Sequence, residues 1–312
     1  MKRRVRSEAP SKSIWPALAA IGVVGACALV TRAAVEWTRL KRTPALADDS
    51  ARAGIAVRYT QAGPYRMFSR HVARRPDGAG GARIPVVLVH GLVISSRYME
   101  PLALALADDF DVHAPDLPGF GESPTRERAL PVSGLADALR LWLSARGIEK
   151  AAFVGNSFGC QILADFAVRY PDCVDRLVFQ GPTVDRHARF LPVQMVRDWR
   201  NGQLERARSP AGIARIDYAK AGIPRAIATM RVLMRDRIED KLARIEAPTL
   251  VVNGSRDPVA PLEWAREVAQ RLPRGELCVI DGGTHTLNYA YPHSMALAIR
   301  PFLLAPNGGA HA

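Results

Sequence analysis

The 312-residue chain carries 43 Lys and Arg against 30 Asp and Glu, a formal charge of +13 at pH 7. Hydrophobic residues make up 48% of it, which excludes a disordered chain and leaves room for one large α/β domain or two small ones. The basic residues are mostly Arg scattered along the chain, with no basic-aromatic module and no zinc-ligand spacing, so no nucleic-acid partner and no metal are expected.

Residues 1–13 form a basic segment with Lys2, Arg3, Arg4, Arg6 and Lys12. An uncharged run follows over residues 14–31, of the length that borders on spanning a bilayer. The first expectation is an uncleaved signal anchor holding the catalytic domain on the extracytoplasmic side. A cleaved signal peptide (after Ala26-Cys27-Ala28 or Ala45-Leu46-Ala47), a lipoprotein site at Cys27, and a packing helix of a cytoplasmic protein are the alternatives. Residues 32–54 read as a polar, Ala-rich linker.

From residue 55 onward strands and helices alternate. Residues 55–60 and 65–72 read as edge strands joined by a Gly-Pro turn. Residues 84–91, Ile-Pro-Val-Val-Leu-Val-His90-Gly91, are a continuous apolar run of the kind found in central parallel strands. Helix, strand and helix follow, over residues 96–107, 110–114 and 132–146. Then comes Ala151-Ala-Phe-Val-Gly155-Asn-Ser157-Phe-Gly159, an apolar strand, a Gly-flanked Ser and the start of an amphipathic helix. Such a strand-turn-helix lifts a serine hydroxyl above a sheet, and a side chain at Gly155 or Gly159 would collide with the neighbouring helix or strand. After the strand at 176–180 the alternation stops, and residues 182–246 read as an Arg-rich helical insertion. It resumes over residues 247–305 and leaves a Gly-rich tail at 306–312. The regular part, 55–181 with 247–305, implies a mostly parallel sheet covered by helices on both faces.

A serine hydroxyl is a weak nucleophile until a base takes its proton and an acid orients that base. In open α/β sheets reacting groups gather at the carboxyl ends of strands. Two post-strand loops supply candidates: Asn253-Gly-Ser-Arg-Asp257-Pro258 and Asp281-Gly-Gly-Thr-His285. Asp185, which follows the strand after the elbow, is the alternative acid. Asp281 and Asp116 read as turn residues, and Cys160 as core packing beneath the elbow helix.

His90-Gly91, Asp116-Leu-Pro-Gly-Phe-Gly121, Gly155-Asn-Ser157-Phe-Gly159, Asn253-Gly-Ser-Arg-Asp257 and Gly283-Thr-His285 stand in the order and spacing of the α/β-hydrolase-fold superfamily, which the chain resembles over residues 55–304. The resemblance implies an eight-stranded, mostly parallel sheet with an inserted helical cap. It also implies Ser157 as nucleophile, His285 as base and then acid, and Asp257 as the residue that holds the imidazole. The backbone N–H groups of Leu92 and Phe158 would form the oxyanion hole, with His90 and Gly91 shaping its loop. Dehalogenases and epoxide hydrolases of the superfamily carry Asp at the elbow, so Ser157 argues against both.

The expected activity is hydrolysis of a carboxylic ester of a small apolar substrate through an acyl-enzyme, without a cofactor. C–C bond hydrolysis of the meta-cleavage type and thioester or lactone hydrolysis are the related alternatives. A non-catalytic binding module is the alternative from another class. Phe190, Met195, Trp199, Met230 and Leu233 of the cap are the expected substrate contacts.

Overall fold

The computed structural model describes residues 29–74 and 84–306, in two compact units divided between Thr43 and Pro44. In the first unit the described residues are helical over 29–41 (α1). Arg32, Glu36, Arg39 and Lys41 recur along that stretch. No helix among the described residues is long and apolar enough to cross a membrane, so the expected placement on a single N-terminal anchor is withdrawn. Most of the uncharged run, residues 14–28, lies outside the described residues. The segment expected as a linker is largely helical, since α2 (Asp48–Arg52) follows in the second unit.

The second unit is built on one eight-stranded sheet, in the order β1-β2-β4-β3-β5-β6-β7-β8. Its strands are β1 (Ala56–Ala62), β2 (Tyr65–Val72), β3 (Val86–Val89), β4 (Val112–Pro115), β5 (Ala151–Asn156), β6 (Val174–Gln180), β7 (Thr249–Gly254) and β8 (Gly275–Ile280). β2 runs antiparallel to both its neighbours and all other pairs are parallel. The central strands are apolar along their whole length because both faces are covered. Alternate residues therefore enter two separate cores. Val87, Val89, Phe153, Leu177, Phe179 and Val251 pack on one face with Trp142, Phe166 and Trp264. Val86, Leu88, Val154, Val178 and Val252 pack on the other with Leu102, Leu106 and Ile299.

The helices that close these cores are α4 (Val132–Ala145), α5 (Phe158–Arg169) and α9 (Leu262–Arg271) on the first face. On the second lie α3 (Glu100–Leu106), α10 (Leu287–Ala290) and α11 (Pro292–Leu304). Trp142 and Phe166 have no more than a trace of exposed surface, and truncating such a side chain to Ala costs about 3–5 kcal/mol. Between β6 and β7 the chain leaves the sheet for α6 (Leu191–Glu205), α7 (Ala211–Ala221) and α8 (Ile223–Arg235). Each has Pro at or just before its first turn, where the missing N–H has no intrahelical partner to lose.

From β3 the chain crosses to β4 on one side, and β5 then returns to the other side of β3. At that switch point the loops after β3 and β5 diverge and leave a crevice above the carboxyl ends of the strands.

Candidate active site

β5 ends in Asn156 and α5 begins at Phe158, leaving Ser157 alone to reverse the chain, with φ 55° and ψ −113°. That conformation is costly for any side chain and persists only where the surroundings enforce it. The enforcement is visible on both sides. A Cβ on Gly159 would lie 2.4 Å from the Val89 carbonyl oxygen, and one on Gly155 would lie 2.9 Å from the Gly159 backbone. The glycines let α5 start directly against β3. Ser157 N–H donates to Gln180 O at 2.9 Å, tying the turn to β6.

Asp257 and His285 come from the loops after β7 and β8. These loops touch through glycine: a Cβ on Gly254 would lie 2.3 Å from the Gly283 carbonyl. Asp257 Oδ1 accepts the Val259 and Ala260 N–H groups at 2.8 and 2.9 Å, so its Oδ2 is held facing His285 Nδ1, 2.8 Å away. This pairing uses Nδ1 and leaves Nε2 free of Asp257, and His285 lines the same pocket as Ser157. Burial pulls the imidazole pKa down, but the charge and hydrogen bond of Asp257, then the charges of Glu205 and Asp198, outweigh it and hold His285 above the ordinary 6.5. Asp185 is engaged elsewhere, accepting from His187 N–H and pairing with Arg197 at 2.9 Å. Asp281 accepts from Ser255 Oγ, and Asp116 accepts the N–H groups of Ser96 and Glu122, as turn residues do.

The loop after β3 faces the elbow. Leu117 N–H donates to His90 Nε2 at 3.1 Å, so the His90 proton sits on Nδ1, which donates to Gly91 O at 2.9 Å. Burial pushes the His90 pKa down, and its role here is to brace the loop. Val93 is held at φ 48°, an unusual conformation for a β-branched residue, directly after Leu92. Phe158, as the first residue of α5, has no intrahelical acceptor for its N–H, and the helix dipole adds positive potential there. Ser157 Oγ lies 3.4 Å from Thr183 Oγ1. Cys160 is fully buried against Gly155 O, and burial pushes its thiol pKa up.

A pocket of about 190 Å³ opens over Ser157. Leu92, Ile94, Tyr98, Met230 and Leu233 supply its apolar wall, with Val259 and Met195. Phe190 and Trp199, expected beside them, do not line it and are each 64% exposed. The reason is that α6 is amphipathic in reverse. Gln194, Asn201 and Glu205 are its buried residues, while Met195, Val196 and Trp199 are exposed. Two of these buried side chains, Asn201 and Glu205, grip the His285 loop. Asn201 Oδ1 accepts His285 N–H at 3.0 Å, and Glu205 Oε1 accepts from the hydroxyls of Thr284 and Thr286 and from Thr286 N–H. Sequence reasoning missed Asn201, Glu205 and Asp198. Their spacing does not single them out, because Gln194, Arg197, Arg200 and Gln203 share the same helix.

A larger cleft of about 1460 Å³ lies at the opposite, amino ends of β5 to β8, beside Lys150, Arg176, Pro248 and Gly275. None of Ser157, Asp257 or His285 borders it, so its size carries no weight for chemistry. Among the described residues no group of three His, Cys, Asp or Glu side chains could hold a metal ion.

With this geometry in view, the comparisons with known proteins agree on the family. The sequence profile of the alpha/beta hydrolase fold matches residues 84–225, and that of the TAP-like proteins matches residues 228–310. A relative in Agrobacterium fabrum, RutD, provisionally named a carbamate hydrolase, is 30% identical over 257 residues, 73% of this chain and 96% of its own length. This chain belongs to the α/β-hydrolase-fold family. The 2-hydroxymuconate semialdehyde hydrolase of Pseudomonas sp. CF600 is 28% identical, over 74% of this chain and 90% of its own. Among solved structures, a serine hydrolase involved in carbazole degradation superposes with a TM-score of 0.68 at 22% identity, covering 80% of this chain and 98% of its own. That last likeness speaks for the fold alone. The chain is an enzyme of the hydrolase class.

Proposed function

We propose that the protein is a serine hydrolase that cleaves a carboxylic ester of a small, largely apolar substrate through an acyl-enzyme. The observation that carries this reading is the 2.8 Å Asp257–His285 pair, fixed by two further N–H bonds to Asp257, with His285 lining the same pocket as Ser157 on its strained turn.

In this reading Ser157 Oγ attacks the ester carbonyl while His285 Nε2 takes its proton. Asp257 holds the tautomer and stabilises the imidazolium that forms. Developing charge on the carbonyl oxygen meets the N–H groups of Phe158 and Leu92, each such donor typically being worth about 3 kcal/mol of barrier. His285 then protonates the departing alcohol, and water, deprotonated by the same nitrogen, releases the acid. The contact between serine and imidazole often tightens only once substrate is bound, which fits the present partner of Ser157 Oγ, the Thr183 hydroxyl.

An engineered apolar cavity of about 150 Å³ holds a benzene ring, so 190 Å³ suits one ring or a short acyl chain. No Arg or Lys stands among the described residues lining the pocket. Muconate-type C–C substrates carry a carboxylate, and the missing counter-charge favours the ester over them.

A fluorophosphonate probe tests the reading. Wild-type protein should be labelled and Ser157→Ala should not. Folded wild-type protein that resists labelling and hydrolyses no p-nitrophenyl ester would refute it.

A further inference from the structure

In a chain with 43 Lys and Arg, the ionisable side chains bordering the pocket, tyrosines aside, are His285 and one carboxylate, Asp198. Asp198 lies on α6, one turn beyond Gln194 and Met195, which line the same pocket. The residue is exposed while bordering the cavity, which places it at the mouth. No described side chain hydrogen-bonds or ion-pairs with it. The adjacent Arg197 turns instead to Asp185, at 2.9 Å.

Two neighbours register the charge. The Tyr218 phenol, which also lines the pocket, is pushed up by burial and then by Asp198. His285 registers it too: burial pulls its imidazole down, but Asp257 first, then Glu205 and Asp198, raise it overall. The carboxylate therefore borders the cavity and pairs with no described side chain.

We propose that Asp198 forms a donor-binding subsite at the pocket mouth, selecting esters that carry an amine or another hydrogen-bond donor over esters that carry a carboxylate. The inference rests on the ester-hydrolase reading. Attraction and repulsion act together in it: an ammonium or hydroxyl meets a carboxylate acceptor, whereas an anion meets a like charge with no Arg or Lys to offset it. The overall charge of +13 alone would suggest the opposite preference.

The test uses the full chain and two matched ester series. One varies the acyl part, as p-nitrophenyl esters of 4-(aminomethyl)benzoate, 4-methylbenzoate and 4-carboxybenzoate. The other varies the alcohol part, as butyrates of 4-(aminomethyl)phenol, 4-methylphenol and 4-(carboxymethyl)phenol. At pH 8 the amine ester should exceed the carboxylate ester in kcat/KM by at least about tenfold in one series, each referred to the neutral ester. Asp198→Asn, a near-isosteric change, should bring that ratio to within about twofold. A general structural defect would lower all three esters together and leave the ratio alone. A ratio that Asp198→Asn leaves unchanged, or a wild-type preference for the carboxylate, overturns the proposal. If no ester is turned over, the hydrolase reading fails separately. The subsite is then judged by calorimetry with benzylamine, whose binding should be lost in Asp198→Asn; equal binding to both proteins overturns it.

Discussion

Glu205 of the cap accepts a 2.6 Å hydrogen bond from the Thr286 hydroxyl, one residue beyond His285. The same Oε1 also takes the Thr284 hydroxyl and the Thr286 N–H, so one buried carboxylate closes both flanks of the histidine. Asn201, one turn earlier, takes the His285 N–H itself. From below, Gln180 Nε2 donates to the His285 carbonyl at 2.6 Å. The cap is thus a structural support of the His285 loop as well as a wall of the pocket.

Removing that carboxylate should cost both stability and activity. Glu205→Ala leaves three buried donors without an acceptor, a loss of about 2–4 kcal/mol in chemical denaturation. Its kcat/KM should fall by more than the loss of folded protein explains, because His285 loses its brace. Glu205→Gln keeps an acceptor oxygen and should retain most of the stability. If Glu205→Ala were as stable and active as wild type, the bracing role would be wrong.

The pH profile follows from the sign of the His285 shift. The proposed mechanism needs the neutral imidazole, and its pKa is held above 6.5, so the acid limb of kcat/KM should lie above 6.5. Glu205→Gln removes one of the charges that raise it and should move the limb toward lower pH. Stability runs the other way. A histidine that binds its proton more tightly when folded contributes stability that is fully present below about 6.5 and is lost as pH rises through the higher folded value. An acid limb below 6.5, or one that does not respond to Glu205→Gln, would contradict this account.

Much of this arrangement was legible in the sequence, and what escaped notice did so for a physical reason. Parallel strands buried on both faces leave continuous apolar runs, so Val86–Val89 and Ala151–Asn156 announce themselves. The elbow announces itself through glycines that close packing requires. Chain order put Asp257 and His285 in adjoining post-strand loops, and they meet at 2.8 Å. The cap was harder. Reading its apolar residues as pocket wall assumes that a helix turns its apolar side inward, and α6 does the reverse. Met230 and Leu233 of α8 line the pocket, whereas Phe190 and Trp199 face solvent. No periodicity reveals which face a helix buries when polar side chains have specific partners elsewhere in the chain.

The choice between the two candidate acids has a direct outcome. Asp257→Asn keeps the shape but forfeits the charge beside His285 Nδ1, and turnover should fall about 10⁴-fold. Asp185→Asn alters only the contact with Arg197 and the cap of a short turn, so turnover should change by less than about threefold. Steady-state kinetics on a p-nitrophenyl ester measures both. The reverse ranking would move the orienting role to Asp185.

Gly181 offers a test of how closely the base is packed. It follows β6 at φ 55°, and an added Cβ would lie 2.9 Å from His285 Nδ1 and 3.1 Å from Asp257 Oδ2. Gly181→Ala therefore strains the backbone and pushes the imidazole off its carboxylate at once. The strain alone should lower stability by about 1–3 kcal/mol. Displacement of the ring should lower kcat at least about tenfold in the folded fraction, since small misplacements of a catalytic group are expensive. Gly282, also at positive φ but with nothing within 4 Å of its Cβ position, is the control. Gly282→Ala should show the backbone strain without the loss of kcat. Equal kcat losses in the two variants would mean that the effect at Gly181 is strain and not contact with His285.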